Sequence, residues 1–211
     1  TQNQAFSAIL FLYKRVLEQP LPRLDQIVRA RRNRRLPTVM IREETRAVLA
    51  EMNGVPRLAA TLLYGTGMRL MECIRLRIKD VDFALNQILI RDGKGRKDRR
   101  TMLPDSLREP LIVHLETVKS IFEKDRADEV GEAYLPDALS RKFKNAGLQW
   151  GWQYLFPSRN LSTDPRTGII RRHHIHRSPV QQAVTDAARV AGVVKPVSCH
   201  TLRHTFATHL L

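Results

Sequence analysis

The spacing of the apolar residues is helical along most of this chain and changes to a period of two in one short stretch. Between Val81 and Arg91, apolar and polar residues alternate as they do in a strand with one buried face. Asp92-Gly93-Lys94-Gly95 is a strong turn signal, and the residues from Arg99 to Leu103 are typical of a returning strand. One hairpin among helices predicts a mainly α fold with a small antiparallel β-sheet.

Amphipathic helices are predicted on both sides of this hairpin. Glycine and proline mark their ends, because Gly ends helices readily and Pro suits a first turn. The predicted helices cover about residues 2–19, 42–52, 56–64, 69–76, 107–122, 179–191 and 200–211. Residues of about 123–170 show few regular patterns and are interpreted as an insert.

The chain divides into three predicted parts. Residues 1–19 form one amphipathic helix that cannot bury its apolar face alone, so we expect it to be the last helix of a mostly missing N-terminal domain. Residues 20–39 form a basic linker that can follow a phosphate backbone. Residues 40–211 form the main domain. The linker carries the candidate DNA-binding residues Arg31, Arg32, Arg34 and Arg35.

Charge limits the partners that the chain can have. Thirty-six Lys and Arg against 21 Asp and Glu leave a net charge of +15, which calls for a polyanionic partner. Nucleic acid is the leading candidate, and an anionic membrane surface is the alternative. No apolar run approaches the roughly 20 residues that span a bilayer, and no secretory signal is present. Only two cysteines, Cys73 and Cys199, occur, which excludes a disulfide framework and fits a reducing cytoplasm.

The segment from His200 to His204 carries side chains that suit phosphate chemistry. Helical spacing puts His200 and Arg203 on one face, where a guanidinium can bind two phosphate oxygens and an imidazole can move a proton. Three other interpretations exist: a zinc helix built on His200 and His204, a thiol nucleophile at Cys199, and plain helix surface. The zinc helix lacks a general-base glutamate, and the adjacent side chains of Cys199 and His200 diverge.

Two further segments also carry residues that suit phosphate binding. The glycines of Gly65-Thr66-Gly67 allow a sharp bend and a close approach to a ligand, and Glu72 lies one helical turn after Arg69, where it can orient that arginine. The alternative is an exposed salt bridge. Lys94 lies in the hairpin turn, where it can reach a phosphate and donate a proton, unless it is simply a solvated lysine.

Aromatic residues concentrate in the insert. Seven of the thirteen Phe, Trp and Tyr residues lie between Phe122 and Phe156, beside basic residues and shortly before the run from Arg171 to Arg177. Ring faces and positive charge are what unpaired bases need for stacking and backbone contact. The alternative is that the rings form a satellite core.

The order of these segments resembles the catalytic domain of the tyrosine recombinase (phage integrase) family, from about Met40 to Leu211. The matching segments are GTGMRLME, the strand–GKG–strand hairpin with KDRR, and HTLRHTFATHLL. The resemblance implies that Arg69 and Arg203 clamp the scissile phosphate, with Glu72 as a supporting acid. It also implies that Lys94 is the general acid toward the leaving 5′ oxygen and that His200 assists proton transfer.

In this family the reaction is transesterification at a DNA phosphodiester through a 3′-phosphotyrosyl intermediate. It needs no metal and no nucleotide cofactor, since the covalent link keeps the phosphodiester energy. The resemblance also implies that the nucleophilic tyrosine lies beyond Leu211. None of Tyr13, Tyr64, Tyr134 and Tyr154 occupies its place, so we expect this chain to bind DNA without cleaving it.

The insert resembles that of integron integrases, through ALSRKFKNAGLQWGWQYLFPS and RHHIHRSPVQQAV. That subfamily implies a bacterial, cytoplasmic enzyme that integrates and excises gene cassettes, recognises bases protruding from a folded single-stranded site, and self-associates into a synapse. Two alternatives remain: an integrase of ordinary duplex sites, and a non-catalytic DNA-binding protein of the same fold. The candidate base-contacting residues are Trp150, Trp152, His173 and His174.

Overall fold

A computed structural model describes residues 2–19, 36–91 and 98–211 of the chain. It divides into two compact units, Thr1–Leu36 and Pro37–Leu211. Five of the candidate residues, Arg31, Arg32, Arg34 and Arg35 of the linker and Lys94 of the hairpin turn, lie outside the described residues.

The first unit contains helix α1, Gln2–Phe11, which continues as a π-helical turn over Leu12–Val16. The backbone N–H of Leu17 donates to the carbonyl of Leu12 at 2.9 Å, the five-residue spacing that defines such a turn. The helix predicted over residues 2–19 is therefore present, with a widened last turn.

The second unit is built around helix α3, Gly54–Thr66, which buries six of its residues. Apolar side chains occur on several of its faces, so α3 is surrounded by helices rather than lying on the surface. It packs against five of them. These are α2 (Arg42–Ala50), α4 (Leu70–Ile74), α5 (Asp105–Ala127), α7 (Arg177–Val190) and α8 (Cys199–His209).

The segment predicted as the first strand of the hairpin, from Val81 to Arg91, contains two strands joined by a turn, so the sheet is three-stranded and antiparallel in the order β1-β2-β3. The strands are β1 (Val81–Asp82), β2 (Gln87–Ile90) and β3 (Arg99–Met102), with Ile90 opposite Arg99 in the register. Ile88 and Ile90 are buried in the main core, while β3 keeps Arg100 and Met102 exposed. The alternation that predicted the strands is therefore the alternation between core and solvent.

The insert contains more regular structure than the sequence predicts. Helix α6 covers Asp137–Lys142, and strands β4 (Ser162–Thr163) and β5 (Ile170–Arg171) form a second hairpin. Two short 3₁₀ turns, Ala146–Leu148 and Trp150–Trp152, lie between them. Elements of two to six residues leave little periodicity to read, which is why the sequence pattern missed them.

Hydrogen bonds and a buried ion pair fasten the insert to the rest of the unit. The backbone of Leu155 donates to Leu76, and that of Ile78 donates to Gln153, at 2.8 and 3.0 Å. Asp125 at the end of α5 pairs with Arg172, whose Nη1 also donates to the Ser158 carbonyl at 2.8 Å. These contacts hold the segments around residues 153–155 and 172–174 in fixed positions.

No helix within the described ranges is both long and apolar enough to cross a bilayer.

The glycines before Arg69 serve packing rather than ligand approach, which corrects the expectation from the sequence. A Cβ on Gly65 would lie 2.7 Å from Cγ of Pro104. Gly67 ends α3 with φ of +62°, and a Cβ there would lie 2.6 Å from Cε1 of Phe206 on α8. The absent side chain of Gly67 thus lets α3 approach α8 directly before the candidate site, and that of Gly65 lets α3 approach the residue that precedes α5.

Gly67→Ala should therefore destabilise the protein twice over. The left-handed conformation costs a non-glycine residue about 1–2 kcal/mol, and the overlap with Phe206 adds about 1–3 kcal/mol. Gly192→Ala is the matched control, because Gly192 has φ of +70° but open space around its Cα. Urea unfolding of both variants measures the difference. Equal losses of unfolding free energy in the two variants would mean that the Phe206 side chain moves away from residue 67 at little cost.

Candidate active site

The carboxylate of Glu72 joins three arginines that are distant in the sequence. Arg69 precedes α4, and its backbone N–H and its Nη1 each donate to Glu72 at 2.8 Å. The Glu72 side chain is only 8% exposed, so these bonds form largely away from water. The structure therefore shows a fixed, half-buried pair where the alternative interpretation expected an exposed salt bridge.

Arg99, at the start of β3, is a member of this cluster that sequence reasoning missed. Its guanidinium binds the Glu72 carboxylate in a bidentate manner, with Nη1–Oε1 at 3.1 Å and Nη2–Oε2 at 2.6 Å. The available signal was the KDRR segment that returns from the hairpin turn. Strand alternation alone could not say which of its two arginines, Arg99 or Arg100, faces the carboxylate.

Arg203 lies on α8 and reaches toward Glu72. Its Nη1 lies 4.0 Å from Oε2 of Glu72, beyond hydrogen-bonding distance. This nitrogen is buried and has no hydrogen-bond partner in the described part of the chain. Buried donors are nearly always satisfied, so an unsatisfied guanidinium N–H beside two other arginines indicates a site for an oxyanion ligand.

The electrostatics of the cluster favour an anion. Burial alone would raise the pKa of Glu72, but hydrogen bonds from Arg99 and Arg69 outweigh burial and lower the pKa to about 2. Burial, reinforced by the charge of Arg69, lowers the pKa of Arg203. Glu72 is thus ionised at neutral pH, and three guanidinium groups around one carboxylate leave an excess of positive charge.

His200 lies on the exposed side of α8, one turn before Arg203, with its ring centroid 5.8 Å from that of His204. No group of three His, Cys, Asp or Glu residues in the described ranges is arranged to hold a metal ion. Cys199 is buried, and burial raises the pKa of its thiol to about 11, which disfavours a thiolate nucleophile.

A cleft of about 950 Å³ extends from this cluster to the insert. One end contains Arg69 and Glu72, and the other is lined by rings. The aromatic lining consists of Tyr134, Phe143, Trp152, Tyr154, His173 and His174. Arg75, Arg77, Lys79 and Arg91 add positive charge along it. The cleft lining therefore includes three of the four candidate base-contacting residues together with Arg69 and Glu72 of the cluster, while Arg99 and Arg203 lie outside it.

Arg77 holds the aromatic end together. Its guanidinium donates to the carbonyl of Tyr134 at 2.7 Å and to that of Trp152, and it lies 4.6 Å from the ring centroid of Tyr154. Lys79 lies over the Trp152 ring, with Nζ 2.6 Å from the centroid. Burial, together with the nearby charge of Arg91, lowers the pKa of Lys79 to about 8.

The two adjacent histidines are held in their neutral form. Burial is the main cause that lowers the pKa of each, to about 4 for His174. His174 Nδ1 lies 2.7 Å from the carbonyl of Ile175, and since a carbonyl only accepts, Nδ1 carries the proton. His174 Nε2 is thus left as a hydrogen-bond acceptor.

The candidate rings do not all share this surface. Trp150 packs on α5, with its centroid 5.4 Å from that of Phe122 and 5.2 Å from Nζ of Lys119, and it does not line the cleft. Phe156 is fully buried in the main core. The satellite-core interpretation therefore describes Trp150, whereas Phe156 belongs to the main core and Trp152 is half-buried in the cleft wall.

Comparison with known proteins identifies the relatives of this chain. The family model described as the phage integrase family matches residues 39–211. An integrase/recombinase of Escherichia coli is 46% identical over 211 residues, which is 100% of this chain and 63% of that protein. Tyrosine recombinase XerA of Thermococcus kodakarensis is 32% identical over 181 residues, which is 84% of this chain and 50% of that protein. The chain thus spans less than two thirds of these curated relatives.

Solved structures show the same fold. The crystal structure of XerA recombinase matches 99% of this chain and 61% of its own, at 25% identity and a TM-score of 0.54. The Tn1549 transposon integrase, solved in complex with transposon right end DNA, matches 99% of this chain and 65% of its own, at 16% identity and a TM-score of 0.60. The predicted fold class, mainly α with a small antiparallel sheet, is confirmed.

Replacing Glu72 with Gln should remove a pH-dependent part of the stability. The folded pKa of about 2 lies below the ordinary value of 4.5, so ionised Glu72 stabilises the fold fully above pH 4.5 and loses this effect as the pH falls toward 2. The difference in unfolding free energy between wild type and Glu72→Gln should therefore shrink from about pH 7 to about pH 3. Urea unfolding measures it, with Glu109→Gln on exposed α5 as control. A difference in unfolding free energy that does not change with pH would contradict the lowered pKa of Glu72.

Proposed function

We propose, from the premise that this chain belongs to the phage integrase family, that it is the DNA-strand-transfer domain of a site-specific tyrosine recombinase. The observation that carries this proposal is the buried Nη1 of Arg203, which lies beside Arg69 and Arg99 and has no hydrogen-bond partner in the described residues. Fork-shaped guanidinium groups match the oxygens of a phosphodiester, and their charge counts most when negative charge builds up in the transition state.

The proposed reaction is an exchange of phosphodiester bonds. The phenol oxygen of a tyrosine attacks the scissile phosphorus, the bond to the 5′ oxygen breaks, and a 3′-phosphotyrosyl bond forms. Arg69 and Arg203 hold the non-bridging oxygens, and Lys94 gives the leaving 5′ oxygen its proton. His200 assists proton transfer by accepting the proton of the attacking phenol. A second DNA 5′ hydroxyl then reverses the steps, so neither a metal nor a nucleotide cofactor is required.

The 211-residue chain itself should bind DNA without a covalent link. Tyr64 donates or accepts a hydrogen bond with Nδ1 of His209 at 2.9 Å, and Tyr154 is 5% exposed. Neither is placed as a free nucleophile at the arginine cluster. We assign residues 1–19 to a clamp-domain helix, 20–39 to a basic linker and 40–211 to the catalytic domain, with synapse formation and a bacterial cytoplasmic location for the full-length protein.

The cleft favours a folded single-stranded cassette site as the substrate, as in integron integrases. Protruding bases need ring faces and hydrogen-bonding groups rather than groove contacts. Half-buried Trp152 and exposed His173 provide rings, and His174 Nε2 provides an acceptor for a base N–H group. The second candidate is recombination of ordinary duplex sites, and the packing of Trp150 on α5 outside the cleft supports it. A non-catalytic DNA-binding protein would not need Lys94 and His200 in addition to both arginines.

Arg69→Ala and Arg203→Ala test the phosphate clamp in a longer chain that carries the family's tyrosine. Each should slow cleavage of a suicide DNA site by about 1,000-fold or more, because the guanidinium stabilises transition-state charge. Each should reduce the slope of log affinity against log salt by only about one, since many other cations contact the backbone. Arg57→Ala is the charge control, because Arg57 is an exposed residue near the start of α3. If either variant cleaves DNA at the rate of the control, the assignment of Arg69 and Arg203 to the phosphate clamp is wrong.

Trp152→Ala and Trp150→Ala test the reading of protruding bases. Loss of one stacking ring costs about 1–3 kcal/mol per base, so Trp152→Ala should bind a hairpin with protruding bases at least about tenfold more weakly. Its affinity for a fully paired duplex should hardly change. Trp150→Ala is the matched control, because Trp150 packs on α5 outside the cleft. Thermal melting separates binding from folding. Equal losses on both DNAs with a lower Tm would remove the support for the cassette substrate.

A further inference from the structure

We propose that Arg99 is a positioning residue of the strand-transfer reaction: by saturating the Glu72 carboxylate, it keeps Arg203 free to bind the scissile phosphate. This inference rests on the proposed function. It concerns an arginine of the β-sheet that touches no other candidate catalytic side chain except Glu72 in the described contacts.

The argument begins with the acceptor capacity of one carboxylate. Oε1 of Glu72 accepts from Nη1 of Arg69 at 2.8 Å and from Nη1 of Arg99 at 3.1 Å. Oε2 accepts from the backbone N–H of Arg69 at 2.8 Å and from Nη2 of Arg99 at 2.6 Å. A carboxylate has about four lone-pair directions, so Arg69 and Arg99 fill it.

Arg203 is the arginine of the cluster that has no hydrogen bond to the Glu72 carboxylate. Its Nη1 is only 4.0 Å from Oε2, so a small rotation of the side chain would turn this long ion-pair contact into a direct hydrogen bond with Glu72. Bidentate Arg99 occupies that position instead. The competition leaves the Arg203 N–H groups unsatisfied in the absence of a ligand, as observed at Nη1, and available to a phosphate oxygen.

Arg99 also fixes the returning strand against α4. It pairs with Ile90 in the register of β2 and β3, and Ile90 is 1% exposed in the main core. The side chain therefore leaves a rigid backbone position and reaches Glu72 through a planar, two-point contact. A lysine at this position would provide one point charge and no planar pair of N–H donors, so it would occupy fewer of the lone pairs of the Glu72 carboxylate.

The test uses matched substitutions on the same strand. Arg99→Met removes the fork, and Arg100→Met removes the same charge from the neighbouring exposed residue on the other face of β3. Crystal structures of the two variants of the 211-residue chain should differ at one contact. In Arg99→Met the Arg203 guanidinium should lie at about 2.8 Å from Glu72, while in Arg100→Met it should stay near the 4.0 Å of the native chain.

Cleavage of a suicide DNA site by a tyrosine-containing longer chain gives the second readout. Arg99→Met should lower the single-turnover rate at saturating DNA by about 100-fold, as expected for a misplaced catalytic group, with DNA affinity close to that of Arg100→Met. Arg100→Met should stay within about twofold of the native rate. Arg99→Lys should cleave faster than Arg99→Met and slower than Arg100→Lys, and this pair decides the matter if Arg99→Met fails to fold.

The outcomes separate this inference from the proposed function. Arg99 variants that behave like their Arg100 counterparts in both readouts overturn the positioning role, provided that Arg203→Ala is inactive. If Arg203→Ala itself cleaves at the native rate, the proposed clamp is wrong, and the positioning role fails with it. A direct Arg203–Glu72 ion pair together with the slow cleavage of Arg99→Met supports the inference.

Discussion

A carboxylate whose side chain is 8% exposed holds arginines from three separate parts of the chain. Removing an ionised group from water is costly unless its charge and its hydrogen bonds are compensated, so Glu72 can occupy this position only when the arginines surround it. The loop before α4, the first residue of β3 and the middle of α8 are thereby brought to one point. The same arrangement leaves more positive charge than the carboxylate neutralises, which prepares the point for a phosphate.

Close helix packing is the second condition for this cluster. Gly67 lets the end of α3 lie against Phe206, three residues after Arg203 on α8. Arg69 lies two residues after Gly67. A small loss of contact between Gly67 and Phe206 would therefore move Arg69 and Arg203 relative to each other. The buried faces of α3 give this region its rigidity, because the helix is enclosed by α4, α5, α7 and α8. The site is therefore supported by the core rather than by a mobile loop.

The aromatic end of the cleft depends on different interactions. Arg77 bonds to the carbonyls of Tyr134 and Trp152, and the buried Asp125–Arg172 pair precedes His173 and His174. Both arginines use guanidinium forks to order backbone that has little regular hydrogen bonding of its own. The insert thus becomes a fixed wall of the cleft whose lining also includes Arg69 and Glu72.

The sequence alone determined the helices, the hairpin, the basic character and the family, because periodicity, turn residues and ordered motifs are local properties. It also indicated Arg69, Glu72 and Arg203 through their spacing within helices. Tertiary structure decided that Arg99 rather than Arg100 faces Glu72, that Trp152 lines the cleft while Trp150 packs on α5, and that the two glycines face Pro104 and Phe206. Each of these depends on which long-range neighbour a side chain meets, and a buried charge or a ring face is satisfied by groups far away in the chain, which no local pattern encodes.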